Sequence, residues 1–258
     1  MTEPGARGPT LRVEDRGAVR VITLDRPEVR NALDLATATL LSEAVHGLDD
    51  APGIAVGVLT GAGDHFCAGM DLKAFLATGQ RPEVPGHGLG FTRTPPRTPL
   101  IAAVEGAALA GGFELVLACD LVVAAEDATF GFPEVARGLI AGAGGLLRLP
   151  ARVPRAVALE HALTGRRLSA QVADRWGLIS RLTPTGSALD AALDLAAEIA
   201  VHAPLALRAT KELVNRAGEL SPADVARQDE LLELVVASPD AREGAAAFAE
   251  KRPPVWSD

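Results

Sequence analysis

The sequence predicts an α/β core that runs without a break into a helical C-terminal extension. Three observations carry this expectation. Short apolar runs with strand character alternate with helix-patterned segments through the first half of the 258 residues. From Pro154 onward the pattern is helical almost throughout. No linker-like stretch and no internal repeat separates the two parts, so the expected division, a core over 1–195 and a helical region over 196–258, is one continuous unit.

The elements follow in order. Residues 1–9 read as a loose tail. LRVEDRG and AVRVITLD read as two strands of a hairpin joined at Gly17. RPEVRNAL is a loop broken by Pro27, and Asp34 is the expected N-cap of a helix reaching about Leu48. IAVGVLTG is apolar on both faces, as a central covered strand must be. GAGDHFCAGM is a glycine-rich turn before a short helix from Asp71 to about Ala77. Residues 78–97 are rich in proline and glycine and form the one long irregular stretch, a frequent place for function. PLIAAVEG is a buried strand, Gly111 opens a helix, DLVVAAE is a strand and ATFGF a short one. Pro133 starts a helical turn, ARGLIAGAGG is a loop, and GLLRLPARV opens the helical half. Helices are expected over 154–163, 169–175, 187–202, 204–217, 221–236 and 239–250, with WGLISRL (176–182) as the only late strand.

Bulk properties narrow the function classes. With 48% hydrophobic and 22% charged residues the composition is that of a globular protein. A formal net charge of -8 argues against nucleic acid or an anionic membrane as the main partner. Cys67 and Cys119 lie in apolar or glycine-rich surroundings and read as reduced, buried thiols of a cytoplasmic protein rather than a disulfide. The start, MTEPGARGPT, lacks the apolar core of a signal peptide. The greasy stretch 100–125 carries Glu105, Glu114 and Asp120, so it reads as protein interior rather than a membrane span. The five histidines are scattered without metal-ligand spacing, no phosphate-binding G-x-x-x-x-G-K-[ST] occurs, and no serine sits in a nucleophile elbow.

LAGGFELVLACD (109–120) poses the chemical question. Glu114 stands in an apolar helix three residues after Gly111. A desolvated carboxylate costs several kcal/mol unless it is paired, neutral or open to a ligand, on the order of 3–5 kcal/mol when left alone. Two segments, VLTGAGDHFCAGMDL and AVEGAALAGGFEL, share one design of strand, glycine turn and helix start. Each directs unpaired N–H groups of a helix N-terminus to the end of a strand. Two such ends facing each other would hold one oxygen that becomes negative during reaction.

FCAGMDLK (66–73), AVEGAALAGGFELVLACD (103–120), FGFPE (130–134), GLIAGAGG (138–145), LTGRRLSAQVADRWGLI (163–179) and FAEKRPPVW (248–256) occur in this order. Together they resemble the enoyl-CoA hydratase/isomerase, or crotonase, superfamily, from about residue 11 to the end. The resemblance implies a ClpP/crotonase-like spiral of ββα units. It also implies coenzyme A thioesters as ligands, with no separate cofactor, and assembly into trimers or pairs of trimers through residues 196–258. The family's setting, fatty-acid metabolism, comes with it. The implied oxyanion donors are the N–H groups of Met70 and Gly111. The implied CoA contacts map to Arg30, Ala68, Asp71, Lys73, Phe248 and Lys251. The hydratase glutamates fall on Glu114 and Glu134, both retained.

Each position also has an ordinary reading. Asp71 caps the helix DLKAFL, Lys73 and Lys251 are solvated surface lysines, and Glu134 after Pro133 fits a first helical turn. Ala110, Ala141, Glu105, Phe113 and Met70 depart from the commonest family pattern and bear on the acyl pocket. The expected reaction is addition of water to a 2-enoyl-CoA or its reverse, with Glu114 activating water and Glu134 donating the proton by family analogy. Alternatives are double-bond isomerisation, dehydration of an unusual acyl-CoA, and acyl-CoA binding without turnover.

Overall fold

The computed structural model describes residues 9–216 and 221–257. The expected N-terminal tail, apart from Pro9, and the last residue of the helix expected over 204–217 lie outside them. β1 (Leu11–Arg16) and β2 (Val19–Leu24) form the antiparallel hairpin about Gly17. α1 (Leu35–His46) starts where expected, with the Asp34 side chain accepting from Thr37 N–H at 2.8 Å. β3 (Val56–Gly61) leads through the glycine turn to α2 (Leu72–Thr78). β4 (Leu100–Val104), β5 (Ala107–Leu109) and α3 (Gly111–Ala118) follow, then β6 (Leu121–Ala125), β7 (Thr129–Gly131) and a 3-10 turn at Pro133–Arg137.

The six-stranded sheet has the order β1-β2-β3-β4-β6-β9, parallel except for the opening hairpin, where β9 is Arg181–Thr183. A small sheet of β5, β7 and β8 (Leu168–Ser169) lies beyond its strand ends. After β4 the chain steps into β5 and then α3. After β6 it steps into β7 and then the 3-10 turn. After β3 it makes a single bridge, Cys67 to Ala108 of β5, before α2. This repeated step from large sheet to small sheet to helix is the expected spiral of ββα units.

The helical half consists of α4 (Gly145–Arg152), α5 (Arg155–Thr164), α6 (Ala170–Arg175), α7 (Ala188–Ala200), α8 (Pro204–Asn215), α9 (Pro222–Val236) and α10 (Pro239–Glu250). α7 covers one face of the large sheet, with Ala192 and Ala196 packed among Val58, Ile101, Ala103 and Val123. Small alanines let the helix approach the sheet closely. The other face packs Leu59, Ala102, Val104 and Val122 against α1 and α3 through Leu41, Val45, Leu115 and Val116. Both faces of a parallel sheet are thereby covered, as its apolar strands require.

Position 195/196 falls inside α7, whose Ala196 belongs to the sheet-facing core. Two expectations need correction. The late strand does not start at Trp176. Residues Trp176 to Leu178 close α6, with Trp176 N–H donating to Val172 O and Leu178 N–H to Ala173 O, and pairing with β6 begins only at Arg181. Nor is it the only late strand, because Leu168 and Ser169 form β8 against β7.

Candidate active site

The segment after β3 folds back on the N-terminus of α3. Cys67 N–H donates to Ala107 O and Leu109 N–H to Cys67 O, which lays residues 67–70 alongside 108–111. Gly69 has φ +92, and a Cβ there would stand 2.7 Å from Ala110 Cβ and 3.1 Å from Gly111 N. Only glycine permits that approach. Leu33 N–H donates to Gly69 O and Asp71 N–H to Leu33 O, so the backbone on both sides of Met70 is pinned. The Met70 N–H between them makes no hydrogen bond among the described residues, nor does the Gly111 N–H that opens α3. Ala110, at the N-cap of α3, has φ 53 and ψ -126, a strained conformation for a residue with a Cβ, costing on the order of 1–3 kcal/mol.

Glu114 lies in the first turn of α3 and is 2% exposed. Its Oε1 accepts from Ala143 N–H at 2.7 Å and Gly145 N–H at 2.9 Å. Gly145 opens α4, so one donor is itself a helix-terminal amide. A Cβ on Gly145 would meet Glu114 Cγ at 2.7 Å, which explains the glycine. Burial pushes the Glu114 carboxyl above the ordinary range, while the two amides and the Arg148 charge oppose that. Arg148 donates to Ala143 O and to Thr92 O, tying the loop that holds Glu114 to the long irregular segment.

Glu134 sits in the 3-10 turn, half-buried. Its Oε2 is buried and has no hydrogen-bond partner among the described residues. Burial, with the Glu114 charge adding to it against Arg137, raises this carboxyl to about 6. The two glutamates therefore differ in kind. Glu114 has its charged form hydrogen-bonded by backbone amides, and Glu134 lines an open space with one carboxylate oxygen buried and unpartnered among the described residues.

That space is a cavity of about 430 Å³ lined by Ala68, Met70, Gly111, Glu114 and Glu134. The segment 78–97 supplies one wall, including Arg81, Glu83, Leu89 and Arg93, and Leu139 and Ile140 supply another. Five of the ten residues expected at the site are thus brought together. Asp71 is not at the cavity: its carboxylate caps α2 by accepting from Ala74 N–H at 3.0 Å and pairs with buried Arg26 at 3.0 Å. Arg30 is exposed beside the wall, its carbonyl accepting from Ala68 N–H. Lys73 is exposed on α2. Phe248, 88% exposed, and Lys251 lie at the end of α10 and do not line the cavity.

The departures from the family pattern divide as well. Met70 and Ala110 line the cavity. Phe113 is in the core, 4.8 Å from the Phe132 ring, and Ala141 is buried. Glu105 accepts from Gly186 N–H and Ala188 N–H and so caps α7, with no part in the acyl pocket. Sequence reasoning missed Arg148 and the amides of Ala143 and Gly145. The available signal was the arginine in GAGGLLRL, directly behind the glycine loop. Among the described residues no group of His, Cys, Asp and Glu could hold a metal ion, and no helix is long and apolar enough to cross a membrane.

Comparison with known proteins gives a consistent result. The enoyl-CoA hydratase/isomerase family profile matches residues 14–258. A carnitinyl-CoA dehydratase of Proteus mirabilis is 41% identical over 257 residues, covering 96% of this chain and 98% of the relative. Among solved structures, an enoyl-CoA hydratase from Mycobacterium marinum superposes with a TM-score of 0.93 at 53% identity, covering 96% of this chain and 99% of the other. A carnitinyl-CoA hydratase from Mycobacterium avium superposes with a TM-score of 0.77 at 46% identity, covering 96% and 98%.

Proposed function

The chain belongs to the enoyl-CoA hydratase/isomerase family, and from that premise we propose that it is a hydro-lyase that adds water to a 2-enoyl-CoA thioester or removes it from a 3-hydroxyacyl-CoA. The observation that carries this reading is one cavity holding two glutamates of different environment and two backbone amides without partners. The thioester oxygen sits between the N–H groups of Met70 and Gly111, which stabilise the negative charge that develops there. Losing one such donor typically costs ~10²–10³ in rate. Glu114, positioned by the amides of Ala143 and Gly145, acts in its ionised form and takes a proton from water as its oxygen bonds to Cβ. Glu134, whose raised pKa favours the protonated form, gives a proton to Cα. In the reverse direction the two exchange roles, so the working dyad carries one proton either way.

Isomerisation needs only one shuttle carboxylate and would leave the second idle. Two distinct carboxyls at one cavity favour hydration. The dehydratase direction has support of its own, since relatives named carnitinyl-CoA dehydratase are 41% identical. Ala68 belongs to the thioester passage. Arg30 and Lys73 contribute near its mouth, and Asp71 serves by holding the turn beside it, its carboxylate, N–H and carbonyl all engaged within the chain. Self-association through the C-terminal helices, as a trimer or a pair of trimers, is part of this reading. Exposed Phe248, Val255 and Val236 support it, and Phe248 and Lys251 would then serve a site shared between copies. The two free, buried thiols support a reducing, cytoplasmic setting.

A panel of 2-enoyl- and 3-hydroxyacyl-CoA esters incubated with the protein, with mass spectrometry for gain or loss of water, tests the reaction. Turnover of at least one ester is the expected result. Double-bond migration without water exchange on every ester would contradict it.

A further inference from the structure

The wall that the 78–97 segment lends to the cavity is charged in a way the hydration chemistry does not use. Glu83 accepts from Arg93 at 2.6 Å, and Arg81 pairs with its other carboxylate oxygen at 3.3 Å. Arg137 also lines the cavity, and among the described residues its guanidinium donates only to the Pro133 carbonyl. On this wall two guanidiniums, those of Arg81 and Arg93, share the one carboxylate of Glu83, and Arg137 from the 3-10 turn adds a third cation to the cavity lining, in a chain whose net charge is -8. Each arginine has five N–H donors and spends few of them here, so the wall keeps free, directional donors. Among the described residues no aromatic side chain lines the cavity. A quaternary ammonium group is normally received by aromatic faces or by carboxylate in excess, and this wall offers neither.

We propose that this wall receives the distal end of the acyl chain and selects thioesters whose chain ends in a carboxylate, while rejecting those that end in a quaternary ammonium. The inference rests on the hydro-lyase reading for the placement of the thioester. A terminal carboxylate would take the unused N–H groups of Arg93 and Arg81, or that of Arg137, without displacing Glu83. Leu89, Leu139 and Ile140 provide the apolar surface for the carbons between the two ends.

The test uses the full-length protein and 2-enoyl-CoA esters of about four to eight carbons in three matched series, ending in methyl, carboxylate or trimethylammonium. The expected result is a kcat/KM for the best carboxylate ester about tenfold or more above its methyl counterpart, with the trimethylammonium ester below both. Arg93→Gln should collapse the carboxylate-to-methyl ratio toward one, and Glu83→Gln should raise it by removing a competing anion. Equal kcat/KM for carboxylate and methyl esters, or a ratio unmoved by Arg93→Gln, would overturn the proposal. So would an equal loss for all esters in Arg93→Gln that vanishes with pantetheine thioesters, because the wall would then be reading the phosphates of CoA. Calorimetric binding of the saturated analogues, hexanoyl-CoA against adipoyl-CoA, reads the same preference without turnover. If no ester is hydrated, the hydro-lyase reading fails while this binding ratio still decides the charge preference.

Discussion

Replacing Glu134 by Gln should make the protein more stable at neutral pH and leave it little changed in acid. The Glu134 carboxyl is raised from an ordinary 4.5 to about 6, first by burial and then by the Glu114 charge. The native state therefore binds more protons than the unfolded state between those values, and stability falls as pH rises through that window. The stabilisation of the protonated form is complete below pH 4.5 and lost above about pH 6. A shift of this size corresponds to about 2 kcal/mol at most. The side chain is only half-buried, and solvent screening reduces this to about 1 kcal/mol. Gln has no ionised form to desolvate, and Oε2 has no partner to lose. Urea unfolding of parent and variant at pH 4.5 and 7.5, at one protein concentration, reads the difference. The variant should gain about 1 kcal/mol relative to the parent between the two pH values. A difference that is flat, or that moves the other way, would refute the claim that Glu134 is held in an environment hostile to its charge.

Other consequences follow from the same geometry. Gly69→Ala places a Cβ at φ +92 against Ala110 and Gly111 N; it should lower kcat by about 10²-fold by spreading the two amides, checked by steady-state hydration. Ala110→Gly removes the strain of a φ of 53 and should raise unfolding stability by about 1 kcal/mol, visible as a higher Tm. Arg148→Ala removes a cation that opposes the rise of the Glu114 pKa, so the acidic limb of the kcat/KM profile should move to higher pH, with Arg148→Lys nearer the parent.

What could be read from the chain alone was what local chemistry enforces. The cap at Asp34, the helix starts at 204 and 239, and the apolar central strands all fall where expected. Glu114 was conspicuous because a carboxylate among apolar neighbours breaks the helix pattern, and Glu134 drew attention only through the family resemblance. β5 and β8, with three and two residues, escape because their pairing partners are distant in sequence and so short a segment has no periodicity. The role of Glu105 was hidden for a similar reason, since the amides it caps lie 81 and 83 residues away. Phe248 and Lys251 came from the resemblance, and one copy of the chain leaves them far along α10 on an exposed surface. The charged wall of Arg81, Glu83 and Arg93 comes from an irregular segment, where spacing carries no signal for which side chains meet.

The central claim is that Glu114 and Glu134 act as one unit on a water beside the amides of Met70 and Gly111. Hydration rates of the parent, Glu114→Gln, Glu134→Gln and the double variant, on one 2-enoyl-CoA whose binding is measured in parallel, test it most directly. Each single variant should lose on the order of 10²–10⁴ in kcat with thioester binding retained, and the double variant should be about as slow as the slower single. Single variants near the parental rate, or losses that multiply in the double variant, would contradict it.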